Sequence, residues 1–409
     1  MDIRDEENYV SNNILAKLTG LNKVLKLEIT TKCRGQSVYH MFVAFVILYQ
    51  IIFSTILIVS GVYYWTDNLM LSVDYFWKGF YSLNISYQMC VLVYHSDGIR
   101  NCLSITRYSF TCHSHRDRYI LDRWRERSSK ITTTLAVVII TSAIIYTICS
   151  MALSYDMLLV KNQNGSISSY RQNLINLYLF VSDETYNVHY NVFYIFEAFE
   201  TVIQSLGLTV FDIILVTLCL AIRCQMQMIC HAFESVGHKP PQDSHSQIVD
   251  QTNEKKNISN KHSLIYEELK QIIMDHQAVM KKYVEFLNIF KQVVLIYVVI
   301  LSILVIALCF CFIMSLSDDV KFKTSEITTF KMLGTIPTFL FQIFIVCYLF
   351  GNLHDQKDSV IFALYSSNWT EMDIKCKKLI LLTMKMNNAN QKKLKLTKTR
   401  IVNFEMFFK

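Results

Sequence analysis

Six stretches of this chain, residues 38–64, 71–95, 131–160, 191–222, 286–314 and 329–351, are dominated by apolar side chains over 23 to 32 residues each. A helix must present about 20 apolar residues to cross a hydrocarbon core of roughly 30 Å, and in lipid it must satisfy its backbone hydrogen bonds within itself. Each run passes that length test, so the expected fold is an all-α polytopic membrane helical bundle. Composition agrees, since only 18% of the residues are charged and 52% are hydrophobic, against roughly 25% charged in a water-soluble domain. The apolar content excludes disorder, and 10 Gly and 3 Pro in 409 residues exclude a linker or collagen-like chain. The second run is the weakest: Asp74, Lys78 and Asn84 interrupt it, while Tyr75, Phe76, Trp77, Phe80 and Tyr81 supply an interfacial aromatic belt. The first run begins 37 residues in and is too long for a signal-peptide core, so it is expected to serve as span and insertion signal together.

Basic residues set the orientation, because those near spans are retained on the cytoplasmic side. Segments 1–37, 96–130, 223–285 and 352–409 hold 6, 8, 8 and 11 Lys and Arg, whereas segments 65–70, 161–190 and 315–328 hold 0, 2 and 2. The amino terminus is therefore expected inside, and six crossings return residues 352–409 to the cytosol. Of four Asn-x-Ser/Thr triplets, at Asn84, Asn164, Asn257 and Asn368, only Asn164 falls in an outer loop, which makes it the candidate glycosylation site. All twelve Cys lie in spans or cytoplasmic segments, so no structural disulfide is expected. Cys102, Cys112, His113 and His115 fit no familiar zinc spacing, and no metal, cofactor, catalytic residue or nucleic-acid partner is expected.

The cytoplasmic segments carry their own pattern. Ile265, Leu269, Ile272, Ile273, His276, Val279, Met280, Tyr283 and Leu287 recur at three- and four-residue spacing, which predicts a helix running straight into the fifth span. Residues 237–260 have no apolar period and read as a flexible loop. A second amphipathic helix is expected to open at Thr370 and carry Leu379, Ile380, Leu382, Thr383 and Met386, with Lys375, Lys377, Lys378 and Lys385 available to a partner or to anionic lipid.

Residues 341–369, FQIFIVCYLFGNLHDQKDSVIFALYSSNW, with Tyr348, Gly351, Ser359, Ala363, Tyr365 and Trp369 at its marked positions, resemble the sixth-helix end and following segment of insect odorant receptors. LILLTMKM at 379–386 and Lys-Leu-x-Leu-Thr at 393–397 are similar to that family's cytoplasmic part of the seventh helix, and Asp212 and His276 fit its pattern. The resemblance implies the odorant-binding tuning subunit of a ligand-gated, non-selective cation channel in the plasma membrane of olfactory sensory neurons. It implies assembly with a co-receptor subunit through a cytoplasmic anchor built from the fourth to seventh helices. The chain then divides into a cytoplasmic segment (1–37), transmembrane helices 1–4 (38–222), a cytoplasmic loop and anchor helix (223–285) and transmembrane helices 5–6 (286–351). A cytoplasmic anchor segment with the start of a seventh-helix pore part (352–409) completes it. A pore helix starting near Ile401 needs about 20 residues to cross; because the sequence stops at Lys409, the chain as written is expected not to conduct alone.

In the resembled family a volatile ligand sits among the second, third, fourth and sixth helices. Burial of apolar area drives such binding at ~25 cal/mol per Å². The apolar and hydroxyl-bearing residues at the outer ends of those spans are Phe76, Phe80, Tyr146, Ser150, Met151, Tyr155, Tyr194, Phe199, Thr335, Ile336 and Phe339, with Phe196 and Thr201 beside them. Asp212 is read as a structural hydrogen-bonding group, Asp74 and Lys78 as a pair at the outer interface, and Glu197 and Glu200 as outer-end carboxylates open to cations. An insect gustatory receptor shares the architecture and is the nearest alternative. Asp117-Arg118-Tyr119 spells a triplet of rhodopsin-like receptors but precedes the third span here instead of ending it, which argues against that class.

Overall fold

The computed structural model describes residues 8–10, 16–17, 20–25, 32–33, 36–112, 118–152, 157–162, 165–178, 181–238, 251–315, 326–389, 393–395 and 401–408. Seven helices dominate it: α1 (Val38–Tyr64), α2 (Leu69–Tyr94), α3 (Arg118–Ala152), α4 (Tyr190–Ser235), α5 (Gln251–Ser315), α6 (Glu326–Ser366) and α7 (Ile374–Ala389). Among the described residues, α1, α3, α4, α5 and α6 hold segments long and apolar enough to cross a membrane by length and composition. α2 is long enough but diluted by Ser72, Asp74, Lys78, Ser82, Asn84, Ser86 and Gln88, all of them buried. Its polar side chains face protein, not lipid.

Helix α4 is the axis of the bundle. In its most apolar window 89% of residues are buried, against 22–39% in the other four candidate spans. An all-round apolar helix buried on every side is the usual reading of such a pattern, and α2, α3, α5 and α6 pack around it. α1 lies at the edge and packs chiefly on α2, leaving Phe42, Phe45, Leu48 and Ile52 exposed on its far side. Small and polar groups seal that seam. The Ser54 hydroxyl donates to Ser82 (2.8 Å), which donates to the Gln50 side-chain oxygen (3.0 Å). A Cβ added at Gly79 would stand 2.9 Å from Ile58 and 3.3 Å from both Leu57 and the Ser54 carbonyl oxygen. Glycine there permits the close approach that helices use where no hydrophobic drive separates them from lipid. Gly79→Val is expected to cost about 1–3 kcal/mol by overpacking, read as a lower thermal midpoint of the detergent-solubilised protein; an unchanged midpoint would show that the seam yields freely.

Four helices run past the expected spans, α3 by beginning at Arg118 instead of residue 131. α4 has 46 residues, α5 65 and α6 41, or roughly 69, 98 and 62 Å at 1.5 Å per residue. Their extensions and α7 share one apolar core with the membrane part, which includes Phe233, Ile272, Val279, Tyr283, Phe286 and Phe350. The α5 stripe behaves as the sequence predicts, with Leu269, Ile272, Ile273, His276, Val279, Tyr283 and Leu287 all buried. α5 begins at Gln251, so residues 251–260, read from sequence as loop, are helical; they contain no Gly or Pro to stop a helix propagating from the stripe behind them. On α7 the inward face is Cys376, Ile380, Thr383 and Asn387, while Leu382 and Met386 point outward. The short helix Phe404–Phe408 lies against α6, with the Phe407 ring 5.4 Å from Phe344.

One expected span is shorter than its apolar run. α3 ends at Ala152, and residues 157–160, assigned from sequence to the third span, belong to strand β1 (Met157–Lys161), antiparallel to β2 (Ile167–Arg171). Gly165, at φ +81°, supplies the left-handed conformation the hairpin turn requires. The chain then turns into the end of the bundle at residues 172–178 before a Ser182-capped helix, Asp183–Val188, leads to α4.

Candidate ligand-binding site

Residues 172–178 form a strap across one end of the bundle, and its backbone is tied to four helices. The Glu197 carboxylate of α4 accepts from the amides of Ile175 (2.6 Å), Asn176 (3.2 Å) and Leu177 (3.1 Å). Lys331 of α6 donates to the Asn173 carbonyl (2.6 Å), Lys78 of α2 to those of Leu174 (3.4 Å) and Ile175 (3.3 Å), and Tyr146 of α3 to that of Leu174 (2.9 Å). Lys78 also pairs with Asp74, whose other oxygen accepts from the Trp77 indole (2.9 Å). Asn176 takes a left-handed turn at φ 65°, a conformation asparagine tolerates. A tyrosine layer, Tyr75, Tyr170, Tyr178, Tyr186 and Tyr190, packs behind the strap. Burial pushes the Tyr178 and Tyr186 hydroxyls well above the usual phenol range, so both stay protonated; Tyr178 donates to the Arg171 carbonyl (3.1 Å).

This arrangement revises two readings. Glu197 and Glu200 are fully buried, not open to cations: Glu197 is held by the strap, and Glu200 accepts from Gln204 (2.9 Å). Asp74 and Lys78 do pair, but inside the bundle, not at an exposed interface. A lysine and a carboxylate survive burial only with such partners.

Beneath the strap lies a cavity of about 200 Å³. Leu57, Trp77, Tyr81, Ile139, Ala143, Ile145, Tyr146, Ile175 and Phe339 supply apolar and aromatic wall, and Ser142, Thr201, Gln204, Ser205, Thr335, Thr338 and Gln342 the polar groups. Lys78 and Lys331 stand at its strap end. α6 contributes a continuous stripe, Lys331, Gly334, Thr335, Thr338, Phe339 and Gln342, at the spacing of one helix face. The Phe339 ring meets Tyr81 (5.0 Å) and Trp77 (6.2 Å). The five hydroxyls spend their protons on their own helices: Ser142 on Ile139, Thr201 on Glu197, Ser205 on Thr201, Thr335 on Lys331 and Thr338 on Gly334, at 2.7–3.1 Å.

Of the residues singled out from sequence, Tyr146, Thr335 and Phe339 line this cavity together, as does Thr201. Phe76 and Phe80 stack on each other at 6.2 Å and line a separate apolar groove with Trp65, Ile303 and Leu304. Phe199 is exposed on α4. Tyr194 donates to the Thr147 carbonyl (3.1 Å), Ser150 to that of Tyr146 (2.9 Å), and Ile336 packs on the main core; none of the three lines the cavity. Tyr155, Asn164, His113 and His115, with the Met151 side chain, lie outside the described residues. Asp212 is buried between α3 and α4 beside Thr132 and Ile139. Sequence reasoning missed the strap, Lys331, Gly334 and Gln342. The α6 stripe carried a usable signal, since two basic or amide groups flank apolar and hydroxyl residues at three- and four-residue spacing.

A sequence model described as 7tm Odorant receptor matches residues 73–409. No curated protein matches the chain significantly. The fold is similar to that of the insect olfactory receptor OR5 from Machilis hrabei, at 14% identity and a TM-score of 0.69 over 97% of this chain and 94% of that one. It is similar also to the same receptor solved in complex with eugenol, at 14% identity and a TM-score of 0.65 over 97% and 95% of the two chains. With the family match extending over most of its length, this multi-pass helical chain belongs to the 7tm odorant receptor family.

Proposed function

We propose that this chain is the odorant-binding tuning subunit of a ligand-gated, non-selective cation channel in the plasma membrane of olfactory sensory neurons, working as a heteromer with a co-receptor. The observation that carries the reading is the strap-covered cavity, whose apolar and aromatic wall, interspersed with hydroxyl and amide groups, suits a small volatile molecule. Its similarity in fold to a receptor solved with eugenol supports the ligand class. Tyr146, Thr201, Thr335 and Phe339 are the ligand contacts of this reading. The amino terminus is cytoplasmic, the strap faces the exterior, and Asn164 carries sugar. The extensions of α4, α5 and α6 with α7 form the anchor to the co-receptor, their exposed Leu381, Leu382 and Met386 offering it an apolar face.

The test is co-expression with the odorant co-receptor and calcium imaging over an odour panel, with single substitutions at matched surface expression. Phe339→Leu, which removes the ring between Trp77 and Tyr81, is expected to move half-maximal concentrations by roughly 10-fold, about 1.4 kcal/mol. Phe199→Leu, on an exposed face, is expected to leave them in place. Equal shifts, or none, would remove the pocket assignment. Odour-evoked current from the chain expressed alone would remove the heteromer.

A further inference from the structure

The cavity's polar groups are unequally occupied, and one is unpartnered. Gln342 sits on α6 at the end of the cavity away from the strap, eleven residues beyond Lys331, or roughly 16 Å along the helix. It is 3% exposed. Its side-chain oxygen accepts from the Tyr297 hydroxyl of α5 (3.0 Å), while its amide nitrogen has no hydrogen-bond partner. The tyrosine proton needs an acceptor, which turns the amide oxygen toward α5 and leaves the two N–H donors over. The Tyr81 hydroxyl lies beside the amide on the same wall and can accept from one of the two N–H groups, which leaves the other for a ligand.

Most other polar groups of the wall are committed elsewhere, and Gln204 donates to Glu200 on its own helix. The five wall hydroxyls donate to their own helices, leaving only acceptor lone pairs toward the cavity. The Lys78 and Lys331 ammonium groups donate to strap carbonyls at the opposite end. A buried donor without a partner is costly, and a ligand that supplies the acceptor recovers that cost on binding. Size limits the ligand further: an engineered apolar cavity of about 150 Å³ accepts benzene, so one of about 200 Å³ accepts a single ring with a short substituent, or a chain of similar bulk.

Resting on the odorant-pocket reading above, we infer that Gln342 is a specificity-determining residue that selects small, one-ring or short-chain ligands bearing a hydrogen-bond-accepting oxygen, such as a ketone, ester or ether, with that oxygen directed to the inner end of the cavity. The amide is the discriminating group, and the aromatic wall holds the rest of the ligand without regard to polarity.

The experiment uses the full chain, purified in detergent, and two planar isosteres: acetophenone, which carries a carbonyl, and α-methylstyrene, in which a methylene replaces the oxygen. Ligand-induced thermal stabilisation gives an apparent affinity for each, in the parent and in Gln342→Met. The expected result is a ketone-to-hydrocarbon affinity ratio that falls roughly 10-fold in Gln342→Met, while binding of the hydrocarbon persists and reports an intact pocket. Comparing ratios between proteins cancels the different partition of the two probes into detergent. Gln342→Asn, which withdraws the amide by one methylene, is expected to lose the ketone preference as well and serves if the methionine variant does not fold. An unchanged ratio in a variant that still binds the hydrocarbon overturns the role of Gln342 and leaves the pocket standing. If neither probe stabilises the parent, and the cavity-filling variant Gly334→Leu behaves like it, the pocket reading falls, and this inference with it.

Discussion

Replacing Gly334 with leucine will abolish ligand binding and raise thermal stability in the same protein. Gly334 lines the cavity on the α6 stripe, and a Cβ built there meets no heavy atom within 4 Å. The new side chain therefore grows into the space a ligand would fill, in a cavity of only about 200 Å³. Leucine is also a far better helix former than glycine in an interior position, by about 0.8–1 kcal/mol, so the empty variant should melt about 1–3 °C higher than the parent. The expected readout is a higher midpoint without ligand, no ligand-induced shift, and at least a 100-fold loss of odour sensitivity in calcium imaging. The opposed signs are diagnostic, because a variant that merely misfolds loses both. Full ligand-induced stabilisation retained in Gly334→Leu would mean that ligands bind elsewhere.

The second large effect is expected at Glu197. Its carboxylate accepts from three consecutive strap amides, and in Glu197→Ala all three donors lose their partner. A buried donor left unsatisfied costs about 1–3 kcal/mol, so the strap should lift until water reaches the amides, at a total cost of roughly 3–6 kcal/mol. Lys78, Lys331, Tyr146 and, from the first turn of α4, Tyr190 would then hold a strap that has lost its carboxylate. The measurements are a lowered thermal midpoint and faster amide hydrogen exchange at residues 175–177. Protection at those amides equal to the parent's would show that the strap does not depend on this carboxylate. Glu197→Gln, which keeps one acceptor oxygen, should fall between the two.

Much of the bundle was legible because its signal is additive along the chain. Each run of apolar residues announces a helix regardless of what surrounds it, and the α5 stripe from Leu269 to Leu287 was visible for the same reason. Where the reading failed, one-dimensional hydropathy had no way to register a partner. Residues 157–160 are as apolar as a span end, yet they pair as a strand because Asn162 and Gly165 turn the chain back on itself. Asp74, Lys78 and Glu197 read as charges at the outer ends of their spans and are buried, because Asp74 and Lys78 pair and the backbone of residues 174–177 accepts from Lys78 and donates to Glu197. At the site, Tyr146, Thr335 and Phe339 were accessible as aromatic or hydroxyl residues at the right depth. Phe76, Phe80 and Phe199 have the same chemistry and depth but a different helical face, and only packing distinguishes those faces. Gly334 was invisible, since nothing in a sequence marks a residue by the space beside it.

The strap is fastened through main-chain carbonyls and amides, which every residue except proline possesses in full. Its fastening is thus nearly independent of which apolar side chains stand at positions 174, 175 and 177, while Ile175 still forms part of the cavity ceiling. One apolar residue can therefore replace another in the roof of the cavity, reshaping it without loosening the clasp that ties the strap to the helices.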